Sequence, residues 1–142
     1  MLRSEEEIQI SIPAGIENGE MIRMTGRGEA ARGGVSGDLY VKIHVQPHPS
    51  ITRDGASLRS TLSIKLTDAL LGAAYAVMTL DGPVTVQIPA GIKNGEVLRI
   101  RDKGVKTGNR RGDFLVKITI DTPQKLTRHA KKLVEELREE GI

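Results

Sequence analysis

The sequence predicts an all-β chain built from two tandem repeats, the first truncated, followed by a short C-terminal α-helix. Three observations carry that prediction. The segment Ile12-Pro-Ala-Gly-Ile-Glu-Asn-Gly-Glu20 returns as Ile88-Pro-Ala-Gly-Ile-Lys-Asn-Gly-Glu96, 76 residues later. Around both copies apolar and polar residues alternate with the period of a half-buried strand. Beyond Pro123 the apolar spacing lengthens to that of a longer helix.

The repeat is longer than its first block. Carried on to Arg23 and Arg99, nine of twelve positions are identical. Gly37-Asp-Leu-Tyr-Val-Lys-Ile43 then matches Gly112-Asp-Phe-Leu-Val-Lys-Ile118, now 75 residues apart, so one residue separates the copies in the intervening loop, where such changes are tolerated. Ile51-Thr-Arg53 and Leu126-Thr-Arg128 continue the match.

Taken in order, Ile8, Ile10 and Ile12 alternate with Gln9 and Ser11 and predict a strand; Val84, Val86 and Ile88 do the same in the second copy. Pro13-Ala14-Gly15 and Pro89-Ala90-Gly91 break these strands, and Asn18-Gly19 and Asn94-Gly95 are turn dipeptides. Short strands resume over 21–24 and 97–100. Loops rich in glycine and basic residues follow over 26–37 and 102–112. Leu39, Val41, Ile43 and Val45 make a third strand, echoed by Phe114, Val116, Ile118 and Ile120. Residues 57–81 have no counterpart before the first copy. There Leu58, Thr61, Leu62, Ile64 and Leu66 read as a strand. Thr67-Asp-Ala-Leu-Leu-Gly72 reads as a helical turn or two, capped by Thr67 and ended by Gly72. Tyr75, Val77 and Thr79 then lead to the turn Asp81-Gly82-Pro83. If both copies derive from one unit, the first lacks its upstream half, and the chain is a fragment.

After Pro123, Thr127 caps a helix running to about Glu140, with Ala130, Leu133, Val134 and Leu137 in one apolar stripe. Its charges oppose the helix dipole: Arg128, Lys131 and Lys132 come first, Glu135, Glu136, Glu139 and Glu140 last. A helix this short is marginal alone, so packing must hold it, on its own body or on a partner. An antiparallel copy would set the basic start of one helix against the acidic end of the other.

Composition narrows the function classes. With no cysteine in 142 residues, disulfides, zinc-thiolate sites and thiol catalysis are excluded. Nothing resembles a signal peptide, and no apolar run reaches membrane-spanning length, so a soluble, cytoplasmic chain is expected. The net charge is +3, from 21 basic and 18 acidic residues, but the charges are interspersed rather than gathered in a stripe. Phe114, Tyr40 and Tyr75 are the only aromatics, too few for a stacking platform on nucleic acid. His44 and His48 flank prolines at a strand end and read as surface residues rather than as a metal pair. The Gly26-Arg-Gly28 and Gly104 loops lack a following Gly-Lys-Ser/Thr, so hairpins needing positive φ explain them better than phosphate binding. Asp38 and Asp113 sit in separate repeat units and suit a turn role rather than acid–base work. No nucleophile elbow is present. Enzymatic chemistry is not expected.

The paired Ile-Pro-Ala-Gly segments, Gly37-Asp-Leu-Tyr-Val41, His48-Pro-Ser-Ile-Thr-Arg-Asp-Gly55, Leu70-Leu-Gly72, Thr79-Leu-Asp-Gly82 and Arg101-Asp-Lys-Gly104 occur in an order that resembles the C-terminal domains of DnaJ-type co-chaperones. The resemblance covers essentially the whole chain. It implies DnaJ C-terminal-type β-sandwich repeats: a remnant of the first over 1–49, the second over 50–122 and a dimerising helix over 123–142. The loop from Gly26 to Asp38 resembles the zinc-containing class, whose zinc domain would end just before Met1, so no cofactor is expected here. The J-domain is absent too, so this chain should not stimulate an ATPase.

The resemblance further implies reversible capture of unfolded client protein in an apolar groove, partly by strand addition, in concert with a DnaK-type chaperone. Where the family has an aromatic in that groove this sequence has Ile51, and Ile8, Ile10 and Ile12 are its candidate neighbours. The same four isoleucines also read simply as core. Leu133, Val134 and Leu137 are the candidate contacts of a homodimer, against the plainer reading of a helix lying on its own sheet. Neither nucleic acid nor membrane is an expected partner. The alternative is a purely structural, dimerising module that binds no client.

Overall fold

The computed structural model of the chain describes residues 7–25 and 37–142. In chain order its elements are β1 (Met21–Met24), β2 (Leu39–Lys42), β3 (Ile51–Asp54), β4 (Ser57–Lys65), α1 (Leu66–Leu71), β5 (Ala73–Thr79), β6 (Gly82–Ile88), β7 (Val97–Ile100), β8 (Lys106–Thr107), β9 (Arg110–Arg111), β10 (Phe114–Asp121) and α2 (Arg128–Glu139). The fold is β-rich, with a short C-terminal helix, as the sequence predicts. β1 pairs with β2; β3, β4, β10 and β7 form a four-stranded sheet in that order; β5 pairs with β6, and β8 with β9. The chain divides into two compact units, 1–60 with 99–116 and 61–98 with 117–142.

The repeat in sequence is a repeat in hydrogen bonding. Gly19 and Gly95 take φ of +88° and +87°, the left-handed turn conformation that Asn-Gly signals. The Gly19 N–H donates to Ile43 O and the Gly95 N–H to Ile118 O, both at 2.8 Å. Ile43 N–H returns to Glu20 O, and Ile118 N–H to Glu96 O. Asn18 Oδ1 accepts from the Val45 amide at 2.8 Å, and Asn94 Oδ1 from the Ile120 amide at 2.9 Å. Arg23 pairs with Asp38 and Arg99 with Asp113, so both aspartates brace the strand before them, in keeping with their structural reading. These exposed pairs contribute about 0–1 kcal/mol each; their value is in showing register.

Among the described residues, Leu58, Phe114 and Val116 are the buried apolar side chains of the first unit. A knot of glycines lies beside them. Val105 N–H donates to Ala56 O, Gly104 N–H to Gly112 O, Gly112 N–H to Val105 O and Leu58 N–H to Asp113 O. Here one expectation holds in part: the loop is a hairpin whose turn residue Gly108 takes φ +59°. Gly104 does not need a positive φ; a Cβ on it would meet Gly112, Asp113 and the Ala56 carbonyl. Close backbone approach, not turn conformation, requires glycine at that position. The glycine- and arginine-rich segment from Gly26 lies outside the described residues.

The second unit buries Ile64, Ala69, Val77, Ile88, Ile92 and Ile118. β5 and β6 form a hairpin from Ala73↔Ile88 to Thr79↔Gly82. Buried Thr79 closes its turn by donating to Gly82 O and accepting from Asp81 N–H. α1 starts two residues earlier than the sequence suggests: its N-cap is Lys65, not Thr67, and Lys65 caps nothing with its side chain. Instead the Tyr75 hydroxyl accepts from Lys65 N–H and donates to Asp68, the third helical residue. A tyrosine thus bridges the two ends of what is ordinarily a capping box. Donation to Asp68 holds the Tyr75 phenol above its usual pKa, partly opposed by the Lys65 amide. Gly72, at φ +84°, ends the helix as expected.

The alternating isoleucines also need correction. Residues 7–12 keep the alternation in burial, with Ile8 and Ile10 half-buried between exposed neighbours, but form no strand. In the second copy the equivalent alternation is a strand because β5 lies beside it. Among the described residues, 7–12 have no such partner.

Candidate functional site

Ile51 opens β3, where it is half-buried and stands opposite Ser60 of β4. Two side chains fix this short strand. His48 Nδ1 accepts the amides of Ser50 and Ile51, each at 3.1 Å, so the ring closes the turn that launches β3. Arg53 lies two residues on, hence on the same face of the strand as Ile51. Its guanidinium donates to Gly55 O at 2.8 Å, Ile16 O at 2.7 Å and Gly15 O at 2.6 Å, with Glu17 3.7 Å away.

Arg53 therefore ties the turn that follows Ile12 to the strand that carries Ile51. A fork of fixed N–H donors suits convergent carbonyls, and such charge-assisted bonds are about twice as strong as neutral ones. Gly15, at φ +82°, permits the approach on its other side: a Cβ there would overlap Lys106 O and the Thr107 methyl of β8. Of the three isoleucines before this turn, Ile8 and Ile10 are half-buried and Ile12 is 57% exposed.

The sequence reads His48 only as a surface residue and does not single out Arg53. For Arg53 a signal existed, since the Thr-Arg pair repeats at Thr127-Arg128. The second copy nevertheless uses it otherwise: Thr127 Oγ1 accepts the Ala130 amide at 3.1 Å and caps α2, leaving Arg128 as the first helical residue.

α2 carries the other candidate surface. Its N-cap is as predicted, and its end is a Schellman motif that sequence reading passed over: Gly141, at φ +88°, donates to Arg138 O and Ile142 donates to Leu137 O. The signal was the Glu140-Gly141-Ile142 ending. No residue of the helix is buried; Leu133, Val134 and Leu137 are 47%, 43% and 39% exposed. The stripe is real in geometry and stands open to solvent.

Among the described residues no group of three or more His, Asp or Glu could hold a metal ion, and no helix is long and apolar enough to cross a membrane. His48 instead spends its Nδ1 on backbone amides.

The family model for the DnaJ C terminal domain matches residues 2–123. Chaperone protein DnaJ of Ruminiclostridium cellulolyticum is 45% identical over 141 residues, 97% of this chain and 37% of that protein. Those of Nitrosomonas europaea and of a Chelativorans species are each 42% identical over 139 residues, 95% of this chain. The chain spans about 37% of the length of these relatives. A match across nearly all its length, in a β-rich fold that repeats itself bond for bond, places the chain in the DnaJ C-terminal domain family.

Proposed function

We propose that this chain is the client-holding and dimerising region of a DnaJ-type co-chaperone, acting by reversible capture rather than by catalysis. Residues 1–49 would belong to a first β-domain, 50–122 to a second and 123–142 to the dimer segment. The observation that carries the reading is the family match over residues 2–123. In the whole protein the captured client would pass to a DnaK-type chaperone in the cytoplasm.

Ile51 is the proposed centre of the client surface, with Ile8, Ile10 and Ile12 beside it through the Arg53 tie. Strand addition suits a chaperone because backbone bonds are blind to sequence while apolar pockets select exposed hydrophobic side chains. The test is binding of a labelled, permanently unfolded apolar protein, with light scattering on the same sample. Saturable micromolar binding by a defined dimer is expected, and Ile51→Asp should weaken it about tenfold without changing the dimer. Equal binding by wild type and Ile51→Asp removes Ile51 from the site.

The dimer rests on Leu133, Val134 and Leu137, whose exposure would be relieved by a second copy. Leu133→Asp with Leu137→Asp is expected to give monomers by sedimentation at micromolar concentration. Dimerisation in turn raises the effective concentration of binding surface for long clients. A dimer that survives both substitutions would place the contact elsewhere. The unpaired conformation of residues 7–12 favours a second reading, a structural and dimerising module with no client binding of its own. A folded dimer that fails to bind the unfolded probe would support it.

A further inference from the structure

The Ile51 amide needs an acceptor that its own sheet does not supply. Leu58 N–H donates to Asp113 O, on the side of β4 away from β3. Leu58 faces Arg53 across the β3–β4 ladder, so that pair exchanges no backbone bonds. Bonded and non-bonded pairs alternate in such a ladder, so Ile51 and Ser60, two residues along, form a non-bonded pair too. The Ile51 amide therefore turns away from β4. His48 Nδ1 meets it there at 3.1 Å and takes the Ser50 amide at the same distance.

Both bonds require the lone pair on Nδ1. With two N–H donors converging on that atom, the ring is neutral and carries its proton on Nε2. The Ser50 hydroxyl lies 3.4 Å from the same nitrogen. A second proton would occupy the lone pair and set N–H against N–H, so two attractions become repulsions. Histidine is the side chain that changes charge between about pH 5 and 8.

The charged groups of the two strands are turned elsewhere. Arg53 faces the carbonyls of Gly15, Ile16 and Gly55 with Glu17 beside it, and Asp54 pairs with Arg59 at 2.9 Å. Lys65 lies at the far end of β4, and Lys42 and His44 precede His48 on its own segment. Among the described residues His48 has no ion pair. A proton taken up there meets two amides and no carboxylate.

We propose that His48 is a positioning residue for the Ile51 surface and makes that surface proton-sensitive. Neutral, the ring fixes the first residue of β3; protonated, it lets that residue go. Capture is thus favoured at higher pH and relaxed as the pH falls. The proposal rests on the reading of Ile51 as the centre of client capture, and adds its regulation. Pro123 stands at the equivalent place in the second copy and offers no such acceptor, so the device belongs to the first copy alone.

Two near-isosteres separate the acceptor from the proton. His48→Asn places Oδ1 where Nδ1 stands and accepts the amides at any pH. His48→Gln carries its polar atoms out where Nε2 stands and leaves the amides without an acceptor. In the wild-type chain the Ser50 and Ile51 amide resonances should titrate with the His48 ring between about pH 8 and 5.5. Thr52, which shares a bonded pair with Arg59, should stay fixed. An unfolded apolar probe free of histidine should bind about fivefold more weakly at the lower pH, the worth of roughly one net hydrogen bond. His48→Asn should bind at both pH values as wild type does at the higher, and His48→Gln at both as wild type does at the lower. Amides that ignore the His48 titration overturn the proposal, whatever the probe does. So does a pH dependence of binding that survives in His48→Asn. An amide response with no probe binding at either pH overturns the client reading, and the control of capture with it.

Discussion

Phe114→Ala is expected to destabilise the chain by about 3–5 kcal/mol, among the largest effects of any single truncation here. Phe114 is the largest fully buried side chain among the described residues, at the start of β10, and Val116 and Ile118 extend the same sealed row along the strand. Removing the ring subtracts its transfer free energy and leaves a cavity that a rigid sheet closes poorly. Leu39→Ala, at the equivalent position of the first copy, should cost only about 1–2 kcal/mol, because a half-exposed side chain has less apolar surface to lose. Urea unfolding of the two variants beside wild type checks both. Similar losses would mean that the copies are equally sealed in solution.

Gly112→Ala should be nearly as damaging, for an opposite reason. There is no room for the methyl group: it would overlap the Ala56 carbonyl oxygen, which already accepts the Val105 amide. Backbone cannot rotate aside as a side chain can, so the strands must separate and the bonds joining Ala56, Gly104, Val105 and Gly112 must lengthen together. Overpacking of this kind, with at least one backbone bond lost, is expected to cost roughly 3 kcal/mol. Gly108→Ala is the control: its φ of +59° is strained for alanine, but the added methyl meets nothing, so about 1–2 kcal/mol is expected. Thermal unfolding should rank Gly112→Ala well below Gly108→Ala. The reverse order would show that conformation, not close approach, governs these glycines.

Glycine shows where sequence reading stops. Gly19, Gly95 and Gly72 were legible as turn and cap residues because a left-handed φ is a local demand, signalled by the neighbouring Asn or by the end of a helical pattern. Gly104 and Gly112 answer to residues some fifty positions away, around Ala56, and no local pattern announces that. The same boundary separates Thr127 from Thr67. Both precede a helical pattern, but Thr127 caps its own helix, whereas the start of α1 is shifted by a tyrosine from the following strand.

The sequence by itself determined the repeat, the period-two alternation of its strands, its Asn-Gly turns, the C-terminal helix with its cap and apolar stripe, and the resemblance to a family. All are properties of neighbours along the chain, or of a copy laid beside itself. Only the tertiary structure decided that residues 84–88 are a strand and residues 7–12, with the same alternation, are not. It also decided that Ile51-Thr-Arg53 is a strand clamped to distant carbonyls while Leu126-Thr-Arg128 begins a helix. The physical reason is common to both. A strand exists through the partner that takes its hydrogen bonds, and identical local patterns part company wherever one copy has that partner and the other does not.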